Sequence, residues 1–174
     1  MNRDNSKGQE TSEKKAIRVL IMTDCSNDAA VLRRYMSDFH RYNVETKYAA
    51  NIAQALYRLR NERFSLIMLD SRHASDVSPK EVLETFQECK VDVPVVIITA
   101  VGDEQILTKG IKMGLFDHVT ENDIKTGLLE KIIGRALNVL HRETAKDTPG
   151  KCKDCKSVLD KAQVSLKANG RRTP

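Results

Sequence analysis

Tryptophan is absent from this chain, and aromatic residues make up only 5% of its 174 positions, so a core must be built mainly from aliphatic side chains. No apolar run approaches the ~20 residues that cross a bilayer as a helix, and no membrane association is expected. Residues 1–15 are polar and charged throughout and hold no apolar stretch that could act as a secretory signal. A cytoplasmic location is the expectation that follows. Cysteine is scarce as well. Of four residues only Cys152 and Cys155 lie close together, which is no disulfide framework. That C-x-x-C pair also lacks the second pair a structural zinc site needs.

Excess positive charge is missing from the middle of the chain. The net +5 divides into +1 for residues 1–15, −1 for 16–140 and +5 for 141–174, the last with nine basic against four acidic groups. A near-neutral centre argues against a nucleic-acid-binding face there, and no helix-turn-helix pattern follows it. Nucleic acid is therefore set aside as a partner. Three segments are expected: a disordered arm over 1–15, a folded domain over 16–142, and a basic, flexible extension over 143–174. The breaker Asp147-Thr148-Pro149-Gly150 lies near the start of the extension.

What is present is a strict alternation. Short apolar runs at 16–22, 43–49, 64–69, 95–98 and 116–120 read as strands. Helical spacing is found over 29–40, 50–60, 80–89, 103–113 and 124–142. Asn27 or Asp28 is a candidate cap for the first helix, and Val31, Leu32, Tyr35, Met36 and Phe39 are its expected inward face. Gly114 closes the fourth helix. Five βα units with short connections imply an α/β fold, a doubly wound parallel sheet with helices on both faces.

The run Phe64-Ser65-Leu66-Ile67-Met68-Leu69 fits a strand buried on both faces, and it ends in a carboxylate, Asp70. Functional groups in such sheets collect beyond the carboxyl ends of the strands. The first strand ends in Thr23-Asp24 and the fourth in Thr99. If those strands neighbour the third, Asp24, Asp70 and Thr99 converge. Two adjacent carboxylates repel unless a cation lies between them, and Mg²⁺, hard and oxygen-loving, suits the set. A hydroxyl at Thr99 can donate to a phosphoryl oxygen. The constellation favours phosphoryl chemistry with Asp70 as nucleophile. On the plainer reading Asp70 merely caps a turn. A flavodoxin-like enzyme is disfavoured, because the loop Cys25-Ser26-Asn27-Asp28 has no glycine-rich phosphate cradle.

Val19-Leu20-Ile21-Met22-Thr23-Asp24, Leu66-Ile67-Met68-Leu69-Asp70, Pro94-Val95-Val96-Ile97-Ile98-Thr99-Ala100 and Gly114-Leu115-Phe116-Asp117-His118-Val119-Thr120 stand in order and at the right spacing. With them, residues 16–142 resemble the CheY-like receiver domain of bacterial response regulators. The resemblance implies a flavodoxin-like (βα)5 sheet of order 2-1-3-4-5 and phosphorylation of Asp70 by a sensor histidine kinase or phosphotransfer protein. It implies Mg²⁺ held by Asp24, Asp70 and the backbone carbonyl of Arg72, and a switch made by Thr99, Ala100 and His118. The chain would then be a non-enzymatic phosphoprotein of a two-component, phosphorelay system. It would signal to a downstream protein, or to itself, through the face formed by the 103–113 helix, the last strand and the 124–142 helix.

Three positions depart from the family pattern. Thr23 replaces the first of the usual acidic pair, and Glu121 and Asn122 stand where the family has Lys and Pro. A carboxylate at 121 repels a phosphoryl group where a lysine attracts it. Two readings follow: a working phosphoreceiver with an altered site, or a degenerate receiver that acts as a phosphorylation-independent interaction module.

Overall fold

The computed structural model of the chain describes residues 14–72, 78–100, 115–125 and 127–143. Expectations for the arm up to residue 13, the helix over 103–113, the Gly114 cap and the Cys152/Cys155 pair lie outside the described residues. The elements in chain order are β1 (Lys15–Met22), α1 (Ser26–Ser37), β2 (Tyr42–Ala49), α2 (Ile52–Asn61), β3 (Leu66–Asp70), α3 (Pro79–Glu88), β4 (Val95–Thr99), β5 (Leu115–Thr120), α4 (Glu121–Lys125) and α5 (Leu128–Glu143). The strands form one parallel sheet in the order β2-β1-β3-β4-β5, as expected. None of the described helices is long and apolar enough to cross a membrane.

Central strands that are apolar at every position must bury both faces. In β3 and β4 every residue is buried. Ile67 and Leu69 pack with Leu56 and Leu59 of α2 and with Val82, Leu83 and Phe86 of α3. Leu66 and Met68 point the other way, to Leu32 and Met36 of α1 and to Leu129, Ile132 and Ile133 of α5. Each such side chain contributes roughly 1.5–3 kcal/mol by leaving water. The period of two also assigns Asp70 to the α1 side, with Leu66 and Met68.

Several local expectations change. β1 begins at Lys15, and Lys14 Nζ donates to the Phe39 carbonyl at 2.8 Å, so the last residues assigned to the arm belong to the fold. Helix α1 starts three residues early. Its N-cap is Cys25, without a side-chain cap, rather than Asn27 or Asp28. Only Leu32, Met36 and Phe39 of its expected inward face are buried. Val31 and Tyr35 are exposed, because a single sheet face covers a narrower stripe than five apolar residues can fill. The expected 124–142 helix is two helices, α4 and α5. Gly127, in the left-handed region at φ +76°, separates them, and its N–H donates to the Ile124 carbonyl at 3.3 Å. The apolar period runs through this break unchanged, which is why it reads as one helix.

The other caps follow their sequences. Asn51 accepts from the Gln54 N–H at the start of α2. Ser78 and Glu81 form a reciprocal capping box on α3. Helix α3 ends with Val91 N–H donating to the Phe86 carbonyl and Lys90 N–H to the Gln87 carbonyl, around a left-handed Lys90 (φ 51°). At the β2 edge, Glu45 lies 2.7 Å from Arg18 and 3.2 Å from Lys47. Between β4 and β5 the register slips at Val95/Val96, leaving Phe116 as the extra residue.

Candidate functional site

Three polar side chains are buried among the described residues, Thr23, Asp70 and Thr99. All stand at the carboxyl ends of β1, β3 and β4, which are neighbours in the sheet. Asp70 pairs in register with Ile98, so Thr99 lies one residue beyond it on the adjacent strand. The sheet therefore brings Asp70 and Thr99 to one edge, as the sequence indicates. Ser71 fixes the exit of β3: its N–H and its hydroxyl both donate to the Ile98 carbonyl, each at 2.9 Å.

Thr23 is tied to its own loop. Its N–H donates to the Ala49 carbonyl at 3.1 Å, and its Oγ1 accepts from the Cys25 N–H at 3.2 Å. Asp24 is exposed. The carboxylate nearest to Asp70's partner is instead Asp28, in the first turn of α1.

That partner is the Arg72 side chain. The Asp70 side chain is only 1% exposed, and a buried carboxylate needs a counter-charge. Arg72 Nε donates to Asp70 Oδ1 at 2.9 Å and Nη2 to Oδ2 at 2.7 Å, a fork-to-fork pair. The Arg72 backbone N–H adds a third bond to Oδ1 at 3.1 Å. Arg72 Nη2 also lies 3.4 Å from Asp28 Oδ1. The guanidinium is held above its ordinary pKa, chiefly by the hydrogen bonds to Asp70 and then by the charges of Asp70, Asp28 and Glu121, against a penalty from burial. Asp70 and Asp28 thus flank one cation, on which the charge of Glu121 also acts.

Glu121 occupies the first turn of α4 and is exposed, as is Asn122. Just before them, Thr120 and Asp123 cap the helix reciprocally. Thr120 N–H and Oγ1–H both donate to Asp123 Oδ2 at 2.8 Å, and Asp123 N–H donates to Thr120 Oγ1 at 3.3 Å. Ala100 is exposed beyond β4. His118, on β5, is 40% exposed in its side chain, with Nδ1 3.7 Å from Asp117 Oδ1, and Asp117 Oδ2 accepts from Arg135 Nη2 at 2.6 Å.

Sequence reasoning missed Asp28 and the Arg72 side chain; it assigned Arg72 only a backbone role. The available signal was parity. Arg72 lies two residues past Asp70, and an arginine two residues past a buried aspartate can reach back to it. For Mg²⁺ the donor chemistry fits, with hard carboxylate oxygens on Asp70 and on the β1–α1 loop and a backbone carbonyl nearby. As arranged, however, both oxygens of Asp70 are held by the guanidinium. Among the described residues no three His, Cys, Asp or Glu side chains gather as a ready metal site.

The sequence model of the response regulator receiver domain matches residues 13–133. The chain is 29% identical over 131 residues to a proposed transcriptional regulator of Haloferax volcanii, covering 75% of this chain and 22% of that protein. It is also 29% identical over 109 residues to the response regulator protein PilR of Pseudomonas aeruginosa, covering 63% and 24%. The chain thus spans about a quarter of the length of these curated relatives. In structure it resembles a receiver domain protein of Clostridium thermocellum, with a TM-score of 0.62 and 17% identity over 74% of this chain and 99% of that one. A CheY-like receiver domain of Methanospirillum hungatei gives a TM-score of 0.59 at 22% identity, over 75% of this chain and all of that one. These likenesses show the fold. The setting aside of nucleic acid gains no support from them and is withdrawn. The near-neutral charge of one domain does not decide what proteins four times its length contact.

Proposed function

This chain belongs to the response regulator receiver family of two-component systems, and from that premise we propose that Asp70 accepts a phosphoryl group from a histidine kinase or phosphotransfer protein. The observation that carries the reading is the burial of Asp70 and Thr99 at adjacent strand ends, in an otherwise apolar pair of strands. Even with Arg72 as its counter-charge, a carboxylate buried at a strand end is costly to keep out of water, and a chemical use accounts for it. In the transfer, an Asp70 carboxylate oxygen attacks phosphorus, the phosphorus–nitrogen bond of the donor's phosphohistidine breaks, and the imidazole nitrogen keeps the electron pair. An acyl phosphate remains on Asp70. The Thr99 hydroxyl would donate to a phosphoryl oxygen, and His118 on β5 would take up that movement.

Asp24, Asp70 and the Arg72 carbonyl would hold a magnesium ion, which would supply positive charge against the incoming phosphoryl oxygens. Until then the Arg72 guanidinium holds both carboxylate oxygens of Asp70 in place. The downstream partner is a protein, reached through the β5 side of the sheet, and neither the fold nor the comparisons lend support to a phosphate-independent module.

The test is labelling with a small phosphodonor in Mg²⁺, read by intact mass. One phosphoryl group on the wild-type protein and none on Asp70→Asn is the expected result. An unmodified wild type at saturating donor overturns the reading.

A further inference from the structure

Asp70 already has a cation of its own. The Arg72 guanidinium engages both carboxylate oxygens, at 2.9 and 2.7 Å, and its side chain is only 15% exposed. The same Nη2 lies 3.4 Å from Asp28 Oδ1. Glu121, at the start of α4, adds a third negative charge that acts on this guanidinium. A metal ion that binds Asp70 must share a carboxylate oxygen with the guanidinium at close range, where the two cations repel, and Asp28 Oδ1, already 3.4 Å from Nη2, offers the displaced group a second anion.

We infer that Arg72 is a tethered counter-cation that competes with a divalent metal ion for Asp70, moving toward Asp28 when the metal binds. In this arrangement the carboxylate at 121 has a purpose. A lysine there would repel the released guanidinium, whereas Glu121 attracts it. The net charge of Asp28, Asp70, Glu121 and Arg72 is −2, which one Mg²⁺ neutralises. Arg72 is a positioning residue here: it acts on the site through Asp70.

The inference rests on the phosphoreceiver reading only in taking a divalent cation as a ligand of Asp70, and its test is binding rather than labelling. Mg²⁺ is titrated by calorimetry into the full chain, wild type, Arg72→Ala and Asp70→Asn, with circular dichroism to establish the fold of each. Arg72→Ala should bind Mg²⁺ about tenfold more tightly than wild type, the scale of a charge-assisted bond removed from the competitor, and Asp70→Asn should lose binding. A second measurement needs no variant. In the wild type, the Arg72 Nε–H proton resonance should shift with the same midpoint as the Asp70 backbone amide as Mg²⁺ is added. Equal or weaker binding by a folded Arg72→Ala, no binding by either protein, or an Nε–H signal unmoved at saturating Mg²⁺ overturns the inference. Failed phosphodonor labelling with Arg72 displaced by Mg²⁺ overturns the proposed function alone.

Discussion

Thr120 and Asp123 hold one another at the end of β5: the threonine N–H and hydroxyl donate to a single carboxylate oxygen, and the aspartate N–H returns to the hydroxyl. This pair starts α4 at Glu121 and so sets where that carboxylate stands. Thr120→Ala should cost about 1 kcal/mol of stability in urea unfolding, as for other lost helix caps. It should also broaden the Glu121 and Asn122 amide resonances. An unchanged midpoint and sharp signals would show that β5 alone positions the turn.

Reversing the charge at 121 should open the site to anions. At saturating Mg²⁺, where Arg72 is already displaced, Glu121→Lys is expected to tighten binding of beryllium trifluoride by about tenfold, well below the bare Coulomb figure because the position is exposed and screened. The readout is the mimic concentration that half-saturates the Asp70 and Thr99 amide shifts. Weaker binding in the variant at saturating Mg²⁺ would mean that a lysine at 121 does not attract the bound anion.

Glu81 gives α3 an acid limit. Its carboxylate is held below the usual glutamate value, first by the Ser78 backbone N–H and then by the Ser78 hydroxyl. The fold therefore favours the ionised form. That stabilisation is complete above the unfolded glutamate pKa and is lost as pH falls through the lowered folded value. The stability gap between wild type and Glu81→Gln should be constant at neutral pH and shrink only below about pH 4–5. Thermal midpoints measured from pH 7 to pH 3 check this, and a gap that widens in acid contradicts it.

Two left-handed residues call for opposite substitutions. Lys90 holds φ 51° at the end of α3. Lys90→Gly should stabilise by about half a kcal/mol, since relief of ~1–2 kcal/mol of strain is offset by the freer unfolded glycine. At Gly127 the space for a methyl group is open, so only the backbone opposes Gly127→Ala. It should destabilise by about 1 kcal/mol. Chemical unfolding of both variants decides, and the same sign for the two would refute the assignment of strain.

The sheet was legible because the physics that writes it is local. Apolar runs such as 64–69 have one stable home, a strand covered on both faces, and Asp70 and Thr99 stand out because they interrupt such runs. Helix breaks are less visible. Leu128, Leu129, Ile132 and Ile133 keep the period of the residues before them, and only Thr120, Asp123 and Gly127 mark α4 as separate. Side-chain partners are less visible still. Asp24 and Asp28 are equally good carboxylates on paper. The entry of α1 at Ser26 brings the second, not the first, to Arg72. An arginine in a polar loop gives one weak sign that it will turn back onto a buried anion, its place two residues past it, and nothing else in the sequence adds to that.

The ion cluster on β2 has a consequence for how the protein keeps to itself. That strand is eight residues long, lies at the rim of the sheet and, among the described residues, is paired only with β1, so its outer backbone groups could accept a strand from another molecule. Glu45, fixed between Arg18 and Lys47, sets charge along that rim, and an approaching apolar strand would have to strip water from those ions before bonding. The bridges contribute little to holding the domain together. Their larger effect is on the neighbours the domain does not acquire.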